Sequence, residues 1–408
     1  MFNFFRLKEN KTTIKTELIA GITTFSAMMY ILVVNPAILA QAGMPPEALL
    51  AATIYASALM TLSMGIFTNL PLALAPGMGL NAFFTYTMCI GKGIPWQAAL
   101  GIVFYSGILF FLLTLSGLRQ KIFALIPPAV RHGLTVGIGL FITLIGLKNA
   151  GIVASSPATL ITLGNIKDPA VIIVFLGIIL AAVLHLKKVT ASLLISMIFI
   201  SVSFLFIGKV NAPPSLFSAP PSLESTLFQL DLGFLWHNLS LCLPMVISLF
   251  LVDLFDNMGT LLAVTSRAKL TANLDRALKA DAFAAILGSI LGTSSVTSYI
   301  ESAAGVEQGG RTGLTSVFVA LLFLLSLFLA PLFLAIPLSA TTPALVMVGF
   351  FMMSEIKSID FDQIDSALPA FITMIMIPFS FSIAEGLGMG LVSFALLRFF
   401  RLKRTLSA

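Results

Sequence analysis

Charged side chains make up only 10% of the 408 residues, against about a quarter in ordinary soluble domains. A water-exposed globule cannot be built on so little charge, so a soluble enzyme or scaffold is excluded. Cysteine is nearly absent. Cys89 and Cys242 both fall in apolar runs and read as small buried hydrophobes rather than as a disulfide or a metal centre. Histidine is scarce too, and His132, His185 and His237 lie near the ends of apolar runs, where none gains a specific role. No polar stretch interleaves clustered Lys and Arg with aromatics, so the net charge of +6 does not point to nucleic acid. The N-terminus is polar as far as Glu17 and lacks a small-residue cleavage pattern after a short apolar core, so a cleaved signal peptide is not expected.

What is abundant is apolar surface: 58% of the residues are hydrophobic and the mean hydropathy is +1.04. The apolar residues come in runs of roughly 20, long enough to cross a hydrocarbon core of about 30 Å as helix, without the alternation of barrel strands. An all-α polytopic membrane protein is expected. Spans are expected near 17–42, 47–69, 72–91, 95–117, 122–148, 169–186, 189–208 and 238–264, then 278–292, 294–307, 312–332, 334–354, 367–383 and 386–400. Some are too short or too glycine-rich to be full crossings.

Fourteen spans place both basic termini on one side, together with Arg119, Lys121 and Arg131, the group Arg267, Lys269, Arg276 and Lys279, and Arg311 and Lys357. Only Lys92, Lys148, Lys167 and Lys209 fall on the other side. That leaves 19 of the 23 basic residues inside, and both termini are expected in the cytoplasm. The stretch 209–237, with Pro213, Pro214, Pro220 and Pro221, reads as an outer linker between halves of seven spans each. An odd count forces the halves into opposite orientations, the geometry of an inverted repeat with a site at the midplane.

Ionisable groups at membrane depth cost roughly 2.5–3.5 kcal/mol each and mark functional sites. Asp253, Asp256 and Glu301 are the acids set within spans, whereas Glu307 and Glu385 fall at helix ends. Asp253 and Asp256 stand three apart in Leu251-Val-Asp-Leu-Phe-Asp-Asn-Met-Gly-Thr260 and so share a helical face with Thr260 close behind. Asp256 is the expected site acid and Asp253 a supporting one. Glu301 lies in Gly292-Thr-Ser-Ser-Val-Thr-Ser-Tyr-Ile-Glu-Ser-Ala-Ala-Gly-Val-Glu307, a run of hydroxyls and small residues that reads as a broken crossing, with Thr297 and Ser298 lining the site.

A matching break occurs in the first half, in Pro71-Leu-Ala-Leu-Ala-Pro-Gly-Met-Gly-Leu-Asn-Ala-Phe-Phe84, where Pro76, Gly77 and Gly79 precede Asn81. Asn81 offers both an amide donor and an acceptor to a heterocycle edge, and Phe83 could stack on a ring. Thr24 in the first span is a further lining residue, although hydroxyls in spans often bond only their own backbone.

Over nearly its whole length the sequence resembles the AzgA-like purine permeases, a branch of the nucleobase-ascorbate transporter superfamily. The resemblance is carried by Gly21-Ile-Thr-Thr-Phe-Ser-Ala-Met-Met-Tyr-Ile-Leu-Val-Val-Asn-Pro36, Ala75-Pro-Gly-Met-Gly-Leu-Asn-Ala-Phe83, Asp253-Leu-Phe-Asp-Asn-Met-Gly-Thr260 and Thr293-Ser-Ser-Val-Thr-Ser-Tyr-Ile-Glu-Ser302. It implies short strands in broken spans 3 and 10 and two domains: a core from 1–117 and 238–332, and a gate from 118–208 and 333–408, with 209–237 as the linker. It also implies uptake of adenine, guanine or hypoxanthine with a proton as the coupling ion, through the inner membrane and without a cofactor or metal. Asp256 and Glu301 would bind substrate and handle the proton, with Asn81 facing them. Some relatives carry a His one turn after the first of these acids where this chain has Thr260, so a histidine-assisted relay is not expected.

Two rivals remain from the residues. An anion exchanger on the same fold would want inward Lys or Arg instead of buried acids. An intramembrane aspartyl protease would need acids on facing helices, and Asp253 and Asp256 share one. The chain is therefore not expected to be an enzyme. Oligomeric state is open, with a homodimer as the assembly to test.

Overall fold

The computed structural model describes residues 4–213, 215–268, 270 and 273–406; Pro214 and Lys269 lie outside them. The chain is mostly helical. The first half contains α1 Ile14–Met28, α2 Ile31–Leu39, α3 Pro46–Thr68, α4 Met78–Ala82, α5 Trp96–Leu115, α6 Leu118–Leu125, α7 Pro128–Asn149, α8 Pro169–Leu186 and α9 Ser192–Phe206. The second half contains α10 Gly233–His237, α11 Leu239–Ala268, α12 Leu274–Leu291, α13 Ser302–Glu307, α14 Gly313–Ser326, α15 Ala330–Leu334, α16 Thr342–Met352, α17 Ile364–Ser380 and α18 Ile383–Leu406. Among the described residues there are also four short strands: β1 Leu74–Pro76, β2 Val153–Ser156, β3 Leu160–Leu163 and β4 Val296–Ser298.

Local chemistry explains the ends. Thr13 caps α1 by accepting the Thr16 N–H at 3.2 Å, and Thr312 caps α14 by accepting from Leu314 at 3.3 Å. α3 starts on Pro45-Pro46 and stops at Asn69, whose φ of 52° is left-handed; α12 stops at Gly292 with φ 88°.

Among the described residues, nine helical stretches are long and apolar enough to cross a bilayer, which makes this a multi-pass membrane protein. Ser192–Phe206 and Ile364–Ser380 are shorter apolar helices. The fifth expected span is shorter than the sequence suggested. Pro127-Pro128 bars continuous helix, so α6 is a separate element and the long helix begins at Pro128. The segment after α7 is a β2–β3 hairpin.

Two sets of helices pack together. In one, α14 lies against α1 and α3, and α12 against α3 and α5, with α11 beside α5. In the other, α7 packs on α16 and α17, α17 on α18, and α8 on α9 and α16. The first set relies on small residues. A Cβ added to Gly65 would lie 2.6 Å from the Gly313 carbonyl oxygen and 2.9 Å from Ser316 Cβ, so α3 and α14 touch backbone to backbone.

Glu17 belongs to the same interface. The sequence placed it in a polar N-terminal approach, but it is fully buried and accepts from the N–H groups of Arg311 (3.0 Å), Thr312 (3.4 Å) and Thr315 (3.2 Å) and from the Thr315 hydroxyl (2.5 Å). The N–H groups lie at the start of α14, where the first donors of a helix lack partners in a preceding turn; the Thr315 N–H also reaches the Thr312 carbonyl at 3.2 Å. Glu17→Ala is expected to cost about 2–3 kcal/mol, because buried donors lose a charged acceptor, with Glu17→Gln milder. Thermal unfolding in detergent would show this as a lowered midpoint; an unchanged midpoint in Glu17→Ala would contradict the capping role.

Candidate substrate site

β1 and β4 cross as an antiparallel pair in the register Leu74↔Ser298, Ala75↔Thr297 and Pro76↔Val296. Two flanking bonds extend it, Gly77 N–H to Ser295 O at 3.0 Å and Tyr299 N–H to Ala73 O at 2.9 Å. A two-stranded ribbon inside a helical bundle leaves outer edges to be satisfied. Thr61 of α3 serves one edge, accepting from Leu74 N–H at 2.9 Å and donating to its carbonyl at 3.1 Å. Asp281 of α12 serves the other, accepting the N–H of Ser298 at 2.9 Å and its hydroxyl at 2.6 Å.

α11 braces the ribbon from a third side with residues one turn apart. Asp253 accepts from the Ser295 hydroxyl at 2.8 Å, and Asn257 accepts from the Thr297 hydroxyl. On the β1 side Asn81 accepts from the Ser294 hydroxyl. Each amide spends its oxygen on these bonds, which leaves the buried Nδ2 groups of Asn81 and Asn257 without a protein partner. Two amide donors are thus free beside the strand crossing.

The acids occupy the open side. Asp256 is exposed although it sits in the middle of the 30-residue α11, and one turn on, Gly259 faces open space with Thr260 half-buried beside it. Glu301, half-buried just ahead of α13, accepts from the Tyr30 hydroxyl at 2.6 Å. Asp256 and Glu301 are close enough for their charges to interact, and Tyr30 and Tyr299 lie within the same range. Tyr299 donates to Pro76 O at 2.5 Å and so ties the two broken segments together. Among the described residues no group of three His, Cys, Asp or Glu is placed to hold a metal ion.

The structure therefore brings Asp256 and Glu301 within electrostatic range of each other, with Asp256 one turn from the open space that Gly259 faces, Thr260 half-buried beside it and Asn81 buried at the strand crossing. Thr297 is committed to Asn257, and Ser298 is turned away to Asp281. Gly79 packs against α7, where an added Cβ would come 2.8 Å from Ile138. Two expected lining residues do not reach the space: Thr24 is fully buried against Gly305 of α13, and Phe83 sits in the core at 1% exposure.

Sequence reasoning missed Asp281, because it lies near the expected start of a span, and it passed over Asn257 as a mere neighbour of Asp256. In the sequence Tyr30 stands out only as a member of the run from Gly21 to Pro36 that carries the family resemblance. A signal for Asp281 existed: Ala277, Asp281, Ala284 and Ala285 form one face of small residues, on which a single acid must be aimed at a close neighbour.

The profile of the Permease family (Xan_ur_permease) matches residues 15–388. The putative permease MJ0326 of Methanocaldococcus jannaschii is 50% identical, over 97% of this chain and 92% of its own. The adenine permease AdeP of Escherichia coli is 42% identical, over 97% and 89%. The guanine/hypoxanthine permease PbuO of Bacillus subtilis is 40% identical, over 97% and 94%. Among solved structures, the transmembrane domain of the cyanobacterial bicarbonate transporter BicA superposes with a TM-score of 0.71 at 16% identity, covering 92% of this chain and 97% of that one.

Proposed function

The chain belongs to this permease family, the nucleobase-ascorbate transporters, and from that premise we propose that it imports purine nucleobases by proton symport with alternating access. One observation supports the reading above the others: Asp256 and Glu301, from separate elements, come within electrostatic range of each other, and the free amide donors of Asn81 and Asn257 lie at the adjoining strand crossing. A purine presents ring N–H donors and ring nitrogen or carbonyl acceptors along one edge, and this set of acceptors and donors complements it. The relatives named for adenine and for guanine or hypoxanthine agree with that class.

In this reading the fourteen spans form a seven-plus-seven inverted repeat in the inner membrane, both termini face the cytoplasm, and the protein acts alone or as a homodimer. The helix set around α3, α5, α11, α12 and α14 is the core that carries the site, and the set around α7, α16 and α17 is the gate. Asp256 takes a proton from outside, purine binds against Asp256 and Glu301, and the core moves against the gate to release both inside. An anion exchanger fits the same fold but would place its substrate against two carboxylates, which repel it.

Uptake of labelled adenine, guanine, hypoxanthine and uracil in permease-deficient cells tests the reading. Accumulation of at least one purine, lost on adding an uncoupler, is the expected outcome. If no purine accumulates under any condition, the reading is wrong.

A further inference from the structure

Arg119 was expected among the cytoplasmic loop charges, yet it is 1% exposed. It lies on α6, the short helix that joins α5 of one helix set to α7 of the other. Left-handed Gly117, with φ 72°, precedes α6, and Pro127-Pro128 follows it. Gly117 permits the bend that starts α6 and Pro127-Pro128 stops it, so α6 is a short separate rod between the two helix sets.

The rod is tied to the site at two points. The Arg119 guanidinium stacks on Phe110 of α5, 4.4 Å from the ring centre, and its Nη1 donates to the Leu278 carbonyl of α12 at 3.4 Å, one turn before Asp281. Phe110 in turn packs edge-on against Phe250 of α11 at 5.9 Å, three residues before Asp253. Farther along α6, Phe123 packs on Phe255 of α11 at 5.6 Å, adjacent to Asp256, while Arg131 of α7 lies over the Phe123 ring at 4.2 Å.

The unpaired atoms are complementary. Arg119 Nε and Nη2 are buried donors without a partner, and Asp281 Oδ2 and Asp253 Oδ1 are buried acceptors without one. Both carboxylates lie within electrostatic range of the guanidinium, and their other oxygens already hold Ser298 and Ser295 of the strand crossing. A guanidinium presents its N–H groups as a planar fork suited to carboxylates, so this set is chemically matched for closure.

We propose that Arg119 is a positioning residue that couples the site to the gate: during the transport cycle its free N–H groups close onto Asp281 and Asp253, so that α6 and the strand crossing move together. This rests on the alternating-access reading above. It makes Arg119 and Asp281 partners in movement and leaves contact with the purine to Asp256, Glu301 and the free amides.

The test measures the maximal rate and KM of uptake alongside the equilibrium binding of a labelled purine to purified protein, for wild type, Arg119→Gln, Arg119→Lys, Asp281→Asn and the double variant. Arg119→Gln is expected to lower the maximal rate about tenfold or more, with Kd within about threefold, a coupling of ordinary allosteric size. Arg119→Lys keeps the charge and lets the protein fold, but loses the fork and is expected to transport slowly as well. The double variant should be no slower than the slower single one, because both changes remove one interaction. Wild-type rates in Arg119→Lys would overturn the proposal, as would parallel losses of binding and rate in Arg119→Gln. If wild-type protein itself moved no purine, the transport reading would fail, whatever the variants did.

Discussion

Asp256→Asn is expected to abolish uncoupler-sensitive accumulation of purine in permease-deficient cells while purified protein still binds it. Asparagine has nearly the shape of a neutral aspartic acid, so its carboxamide can occupy the same space at the mouth of the site, but it cannot ionise and so cannot take up and release a proton. The permease would then equilibrate purine at best and could not concentrate it. Glu301→Gln provides the contrast. Glu301 accepts from Tyr30 at 2.6 Å, and a glutamine carbonyl can still accept there, so the geometry survives and the loss falls on charge-assisted bonds to the substrate. That loss is about 1.5–3 kcal/mol, or roughly 10- to 150-fold in binding. Uncoupler-sensitive accumulation by Asp256→Asn would move the proton-carrying role to another group, with Glu301 the first to examine.

The second large effect is on stability. Gly313→Val should destabilise the fold by about 1–3 kcal/mol or more, because overpacking a tight contact forces its neighbours apart and here the neighbours are backbone. Gly313 faces Gly65 with no side chain on either surface, and neither α3 nor α14 can yield by turning a rotamer. Separation would also disturb Ser316, whose hydroxyl lies 2.8 Å from the Leu70 carbonyl and 2.7 Å from that of Leu72, just ahead of β1. The thermal midpoint in detergent and purine binding should therefore fall together. A wild-type midpoint for Gly313→Val would mean that the two helices are not held at this distance in the membrane.

Much of this molecule is legible without coordinates, because a bilayer is a severe solvent. Length and composition alone put the chain in a membrane, since runs of about 20 apolar residues have few other fates. The cost of charge at depth singled out Asp253, Asp256 and Glu301; glycine and proline within an apolar run located one broken segment, and a run of hydroxyls and small residues the other. These are local properties, written in consecutive residues.

The tertiary structure decided which polar groups face one another, and that depends on residues far apart in the chain. Thr24 and Phe83 have suitable chemistry but are packed away behind Gly305 and in the core. Asp281, Tyr30 and Asn257 became meaningful only once α12, the junction of α1 and α2, and α11 were seen to close around the strand crossing. Glu17 and Arg119 looked like ordinary charges at span ends, and only packing shows one capping α14 and the other buried beside the site. A sequence pattern reports what each segment must do with its own surface, whereas the partner of a buried polar group is fixed by how separate elements cross, whether 17 residues apart as for Asp281 and Ser298 or 294 as for Glu17 and Arg311, which no local rule encodes.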